Sequence, residues 1–277
     1  MVPSGQAAPP PFVHLAAHPV RWRLLSELAH SDLRVRELVA RLGEPQNLIS
    51  YHLRLLRSGG LVRARRSSFD GRDSYYRLDL ERCAGALADA GAALHPALRL
   101  VPDRPAASSE NSPRPSVLFV CTGNSARSPI AEALLRHHSG DRAEVASAGS
   151  HPKPHFHPGA VRVLRRRYGI DLAGRGPRHL DTMTGRRFDY VISLCDRVRE
   201  VCPEFDGRTR RIHWSIADPA DPADPANSAG LADPAASGGG TARAGDAAFE
   251  AAAAELDTRI RYLLPALTPT PHREVQP

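Results

Sequence analysis

Residues 116–138 read "SVLFVCTGNSARSPIAEALLRHH". The β-branched, apolar start is suited to a buried strand, and "SPIAEALLRHH" carries a helix start, with Ser128 at the N-cap and Pro129 at the first helical position. Between strand and helix lie Cys121, Thr122, Gly123, Asn124, Ser125, Ala126 and Arg127. A strand, a tight loop and a helix N-terminus aim successive peptide N–H groups and the positive helix end at one point, which makes an anion site. The same field favours a thiolate at Cys121, lowering its pKa from the free value of about 8.5. Arg127 can offer a planar fork to two oxygens of a tetrahedral anion, and the Ser128 hydroxyl can donate to the thiolate.

The chain around this block has 277 residues, 42% of them apolar, enough for two modest domains with real cores. No run of 18 apolar residues occurs, and "MVPSGQAAPPPFVH" lacks the order of a signal peptide, so a cytoplasmic protein without membrane contact is expected. Four cysteines, Cys83, Cys121, Cys195 and Cys202, are too scattered for a secreted disulfide scaffold. The formal charge of +7, carried almost wholly by arginine, suits phosphates and other oxyanions.

Residues 98–115 are rich in Pro, Ser and charge and read as a linker. It separates a first domain, 12–97, from a second, 116–265, in which about 219–246 reads as a mobile insert of low complexity. Beyond the insert Phe249, Leu256, Ile260 and Leu263 share one helical face. The second domain is expected to be α/β, with a central parallel sheet and a Cys-x5-Arg loop.

In the first domain three helical patterns are followed by two short strand-like runs joined by "SFDGRD". That order gives a winged helix-turn-helix of α(+β) class. Leu38 and Leu42 pack inward, residues 43–45 turn, and Leu48, Ile49, Leu53 and Leu56 bury the next helix. Its other face carries Gln46, Asn47, Ser50, Tyr51 and Arg54, side chains that bond base edges and phosphates, while Arg63, Arg65, Arg66 and Arg72 make a basic wing. Cys83 reads as a buried helical cysteine.

Residues 12–97 resemble the ArsR/SmtB family of winged-helix repressors, which implies a homodimer formed through this domain and operator DNA as partner. Family members that sense arsenite use cysteines at the start of the helix-turn-helix; here Arg34, Arg36 and Val39 stand at those places, so arsenite binding of that kind is not expected. The block from Ser116 onward resembles the low-molecular-weight tyrosine phosphatase superfamily, which includes the thioredoxin-coupled arsenate reductases. The superfamily pattern implies a general acid in a downstream Asp-Pro pair. "IHWSIADPADPADPA" offers Asp218, after a His-Trp pair as in the reductases, with Asp221 and Asp224 in the same dipeptide.

Phosphatase and reductase both begin with thiolate attack on the oxyanion. Reducing arsenate to arsenite needs two electrons, most simply with the help of a second thiol, and "CDRVREVC" supplies Cys195 and Cys202 at the Cys-x6-Cys spacing of the reductases. Ala220 follows the Asp-Pro pair where phosphatases carry aromatic residues. The resemblance therefore implies a relay from Cys121 to Cys195 to Cys202, fed by thioredoxin or a low-molecular-weight thiol, with no bound cofactor and no metal. The expected function is an arsenate reductase fused to a DNA-binding regulator of arsenic resistance. A tyrosine phosphatase fused to a regulator, and a repressor that uses the second domain as an oxyanion or redox sensor, are the alternatives. If residues 195–202 are helical, seven rises of about 1.5 Å put the two cysteines roughly 10 Å apart, beyond the roughly 7 Å that a disulfide spans, so this segment must unwind on oxidation. "SHPKPHFHP", with His151, His155 and His157, reads as a surface loop beside the site.

Overall fold

Leucines at helical spacing close the first of two cores. The computed structural model describes residues 9–98, 114–201, 208–221 and 240–267, and the chain divides into two units between Ala106 and Ala107. In the N-terminal unit α1 (Pro11–Ala16), α2 (Pro19–His30), α3 (Val35–Leu42) and α4 (Gln46–Ser58) precede the hairpin β2 (Val62–Arg66) and β3 (Ser74–Leu78), and α5 (Leu80–Leu94) follows. A two-residue strand β1 (Leu33–Arg34) pairs antiparallel with β3 and makes the wing three-stranded, in the order β1-β3-β2. Leu24, Leu28, Leu38, Ile49, Leu53 and Leu56 are fully or almost fully buried in its core. Gly43, at φ 69°, stops α3 in the left-handed conformation that glycine adopts without a Cβ penalty, and so sets the turn into α4.

Three details differ from the sequence reading of this unit. Both α1 and β1 are too short to show a period. Leu48 is only half-buried, at the edge of the α4 apolar face. Arg63 is tied to Asp79 at 2.6 Å and so is spoken for within the fold.

In the C-terminal unit β4 (Ser116–Cys121), β5 (Glu144–Gly149), β6 (Tyr190–Ser193) and β7 (Arg210–His213) form a parallel sheet in the order β5-β4-β6-β7. Val117 to Cys121 are all buried, because the central strand of a parallel sheet is covered on both faces. α6 (Arg127–Ser139), α7 (Pro158–Val163), α8 (Asp196–Val201) and α9 (Gly240–Leu263) surround it, with α9 lying along α6 and α7. Phe249, Leu256, Ile260 and Leu263 are the buried face of α9. β4 ends where the strand order reverses, the usual place for a ligand crevice in an open α/β sheet.

Two expectations are corrected here. α6 begins at Arg127 with Ala126 as N-cap, so Ser128 is inside the first turn; its hydroxyl is used by Cys121 and Asn124 instead of capping the helix. The expected loop also ends earlier than 246, since α9 starts at Gly240 and Asp246 pairs with Arg162 at 2.6 Å. Among the described residues no helix is long and apolar enough to cross a membrane.

Because the two cores share no residue, Phe119→Ala is expected to cost the C-terminal unit about 3–5 kcal/mol while leaving the N-terminal unit's stability unchanged. Hydrogen exchange resolved by unit checks this: amides of α4 keep their protection while those of β4 to β6 lose it.

Candidate active site

The loop after β4 is shaped by where its carbonyls go. Ser150, His151, Lys153 and His157 donate their backbone N–H groups to the carbonyls of Cys121, Thr122, Gly123 and Ser125, at 3.3, 2.9, 2.9 and 2.8 Å. A trans peptide points its N–H opposite to its C=O, so carbonyls held by the 150–157 segment turn the intervening N–H groups inward, away from that segment. The segment read as a surface loop is thus the outer brace of the anion loop. Asn124 has φ 42°, a left-handed conformation uncommon outside glycine, and it lets the loop double back. Gly149 closes the contact from behind: a Cβ there would meet the Thr122 carbonyl oxygen at 2.6 Å and the Asn124 nitrogen at 2.8 Å.

Hydrogen-bond directions then decide which way the Ser128 proton points. Glu132 is buried and paired with Arg178, so its carboxylate accepts from the Ser147 hydroxyl at 2.6 Å. The Ser147 oxygen accepts from the Asn124 amide at 2.9 Å, and the same amide nitrogen donates to Ser128 at 2.8 Å. The Asn124 side-chain oxygen is held by the Arg178 backbone N–H at 2.7 Å, which fixes the amide's orientation. Ser128 is therefore an acceptor on one side and keeps its proton available for Cys121 Sγ, 3.0 Å away, when that sulfur is a thiolate. Asn124, Ser147, Glu132 and Arg178 were not singled out together in the sequence, because they meet only through the β4, β5 and α6 packing.

Cys121 is buried, and burial pushes its thiol up; neighbouring Cys195 adds to this, while Arg127 and the Ser128 hydrogen bonds pull it down. The net rise corrects the expectation of a lowered pKa, because the loop closes over the sulfur more tightly than the sequence suggests. Burial also works against the Arg127 charge, but Cys195, Asp218, Cys121 and Asp196 more than offset it and hold the guanidinium protonated. Arg127 donates to the Ile216 carbonyl at 3.2 Å and to Asp218 at 2.6 Å. Of the two described Asp-Pro aspartates, Asp218 and Asp221, it is Asp218 that bonds Arg127; Asp224 lies outside the described residues.

Cys195 follows β6, and its sulfur lies 3.3 Å from the Thr122 hydroxyl, inside the same site. α8 starts at the next residue and runs to Val201; Cys202 lies outside the described residues. Cys83 sits apart on α5, where burial, with Asp79 adding, pushes its thiol to about 11. Among the described residues no three His, Cys, Asp or Glu converge to hold a metal.

In the N-terminal unit Gln46, Asn47, Tyr51 and Arg54 are exposed along α4, Ser50 is half-buried beside them, and Arg65, Arg66 and Arg72 lie on or next to the wing. His52 faces the other way, buried and 4.4 Å from the His18 ring; burial, His18 and Arg21 lower its pKa against the opposing pull of Glu44.

A buried thiol and guanidinium under a loop of inward N–H groups, at the carboxyl end of a central parallel strand, define a thiol-dependent enzyme acting on tetrahedral oxyanions. The comparisons place it within that class. Residues 116–273 match the family model for low molecular weight phosphotyrosine protein phosphatase, and 18–64 match that for bacterial regulatory protein, arsR family. The chain belongs to the low-molecular-weight phosphotyrosine protein phosphatase family, with an arsR-type domain in front. Over 104 residues it is 35% identical to an arsenate reductase of Halalkalibacterium halodurans, covering 38% of this chain and 73% of that protein. Over 105 residues it is 34% identical to an arsenate reductase of Bacillus anthracis, covering 38% and 77%. A solved thioredoxin-dependent arsenate reductase of Corynebacterium glutamicum is 22% identical, with TM-score 0.41, covering 88% of this chain and 96% of that one.

Since the Ser128 proton stabilises the charged form of Cys121, Ser128→Ala raises the thiol pKa further. The pH profile of Cys121 alkylation by iodoacetamide is expected to move up by about 1 unit or more, with about tenfold slower labelling at neutral pH. An unmoved profile would show that the hydroxyl plays no part in the ionisation.

Proposed function

We propose that the C-terminal domain reduces arsenate to arsenite and that the N-terminal domain binds operator DNA. The observation that carries the reductase reading is a second thiol, Cys195, seated against Thr122 of the loop that holds Cys121. Hydrolysis of a phosphate ester needs one thiol and water, whereas reduction needs two electrons, and a thiol pair supplies them as a disulfide. The arsenate reductases that resemble this domain support the same reading.

In this mechanism the oxyanion takes the Arg127 fork and the loop N–H groups, displacing Asp218 from the guanidinium. The Cys121 thiolate attacks arsenic; a sulfur–arsenic bond forms, an arsenic–oxygen bond breaks, and the oxygen leaves as water with a proton from Asp218. Cys195 then attacks the Cys121 sulfur. The S–S bond forms as the sulfur–arsenic bond breaks, and its electron pair stays on arsenic, which departs as arsenite. Cys202 attacks Cys195 and frees Cys121. The six helical residues Asp196–Val201 between the two cysteines support unwinding of α8 at this step. A thioredoxin-like protein or a low-molecular-weight thiol returns the Cys195–Cys202 pair to dithiol.

On the DNA side, Gln46, Asn47, Ser50, Tyr51 and Arg54 face base edges, and Arg65, Arg66 and Arg72 meet phosphates. A homodimer through the N-terminal domain matches two half-sites.

The reductase reading predicts arsenate-dependent NADPH oxidation in the presence of thioredoxin and thioredoxin reductase, abolished in Cys121→Ser, Cys195→Ser and Cys202→Ser alike. Phenyl phosphate hydrolysis needing Cys121 alone, with no arsenate turnover, would replace it by the phosphatase reading. On DNA, Arg72→Ala is expected to lessen the slope of log affinity against log salt by about 1, measured by fluorescence anisotropy on a duplex; an unchanged slope would remove Arg72 from the interface.

A further inference from the structure

Beside Cys195 lies a buried polar cluster for which the reaction steps have no use. Asp196 is 1% exposed, His213 and Ser215 2% each, and Ser193 7%. His213 bridges two of them, with Nδ1 2.8 Å from the Ser193 hydroxyl and Nε2 3.1 Å from Asp196 Oδ1. The Ser215 hydroxyl donates to the same Oδ1 at 2.8 Å. The end of β7 and the residue two beyond it therefore converge on one carboxylate oxygen, that of the first residue of α8 and the chain neighbour of Cys195, and the end of β6 joins through His213.

A carboxylate this deep is costly to bury unless it is bonded and positioned. Its location has a consequence for the relay. Helix α8 has to unwind for Cys202 to reach Cys195, and an untethered helix start would carry Cys195 away from Cys121 as it did so. We propose that Asp196, held by His213 and Ser215, is a positioning residue for the thiol relay. It pins the first residue of α8, and with it Cys195, at the Cys121 loop while the remainder of the helix opens. Asp196 also lends its charge to Arg127, an effect lost in Ala and Asn variants alike, whereas its positioning effect runs through Cys195. This inference rests on the relay reading above for its purpose, but the placement of Cys195 can be measured without arsenate.

The test uses the full chain carrying Cys202→Ser. Diamide takes two electrons and two protons from the Cys121 and Cys195 thiols, giving a disulfide and the reduced hydrazine, and the linked peptides are followed by mass spectrometry. Asp196→Ala is expected to slow this disulfide at least tenfold. Alkylation of Cys121 by iodoacetamide stays within threefold, because its loop is braced elsewhere. Asp196→Asn is expected to restore the disulfide rate to within threefold, since one amide oxygen can accept both bonds. A disulfide rate in Asp196→Ala within threefold of the parent would overturn the proposal. So would an equal loss of Cys121 alkylation, which would mark a general structural role. A chain that reduces no arsenate but still shows this split would refute the reductase reading and leave the positioning role standing.

Discussion

A loop that presents its N–H groups to an anion has to place its carbonyls somewhere else, and the C-terminal domain is arranged around that requirement. The 150–157 segment receives four of them. The segment can reach them because Gly149, paired with Cys121 across β5 and β4, lets the two backbones approach to a distance at which any Cβ collides with the Thr122 carbonyl. The left-handed Asn124 completes the turn, and its side chain ties the loop to Ser128, Ser147 and the Arg178 backbone. One anion cradle thereby draws in β4, β5, α6 and two connecting segments.

The electrostatics follow from burying sulfur and guanidinium together. Burial favours the neutral Cys121 thiol, while Arg127 stays charged because Cys195, Asp218 and its other neighbours compensate it. An oxyanion that takes over the Arg127 fork changes both conditions. It takes the place that Asp218 holds on the guanidinium at 2.6 Å. It also sits where the loop dipoles converge, and they favour negative charge there whether on ligand or sulfur. In the proposed mechanism the release of Asp218 and the stabilisation of the Cys121 thiolate both follow from occupancy of the same fork.

The strand, loop and helix from 116 to 138, the helix-turn-helix and the buried face of α9 were legible because each is written in contiguous residues with a clear period or motif. Cys195 was legible as chemistry through its spacing to Cys202, and its seat against Thr122 could only come from the pairing of β4 with β6. Helix starts were less so: Ser128 has the chemistry of an N-cap, yet a buried thiol and an amide take its hydroxyl first. The sign of the Cys121 shift was misread for a related reason, since the favourable field is a local feature and the burial that outweighs it is a tertiary one. Glu132, Arg178 and Asp196 carry no pattern at all, and His213 stands out only as half of the His-Trp pair before Asp218; the partners of each are set by the sheet.

The placement of thiols separates the two halves of the chain. At the start of α3, where arsenite-sensing relatives of the N-terminal domain keep cysteines, Arg34 and Arg36 instead reach Asp73 at the end of the wing, at 3.5 and 3.2 Å. Those ion pairs join α3 to the hairpin and leave no sulfur there to bind arsenic. The remaining cysteine of that unit, Cys83, has its thiol pushed to about 11, so at neutral pH it is almost wholly protonated and a poor nucleophile or ligand. Every cysteine seated for chemistry among the described residues therefore lies in the C-terminal domain, at Cys121 and Cys195.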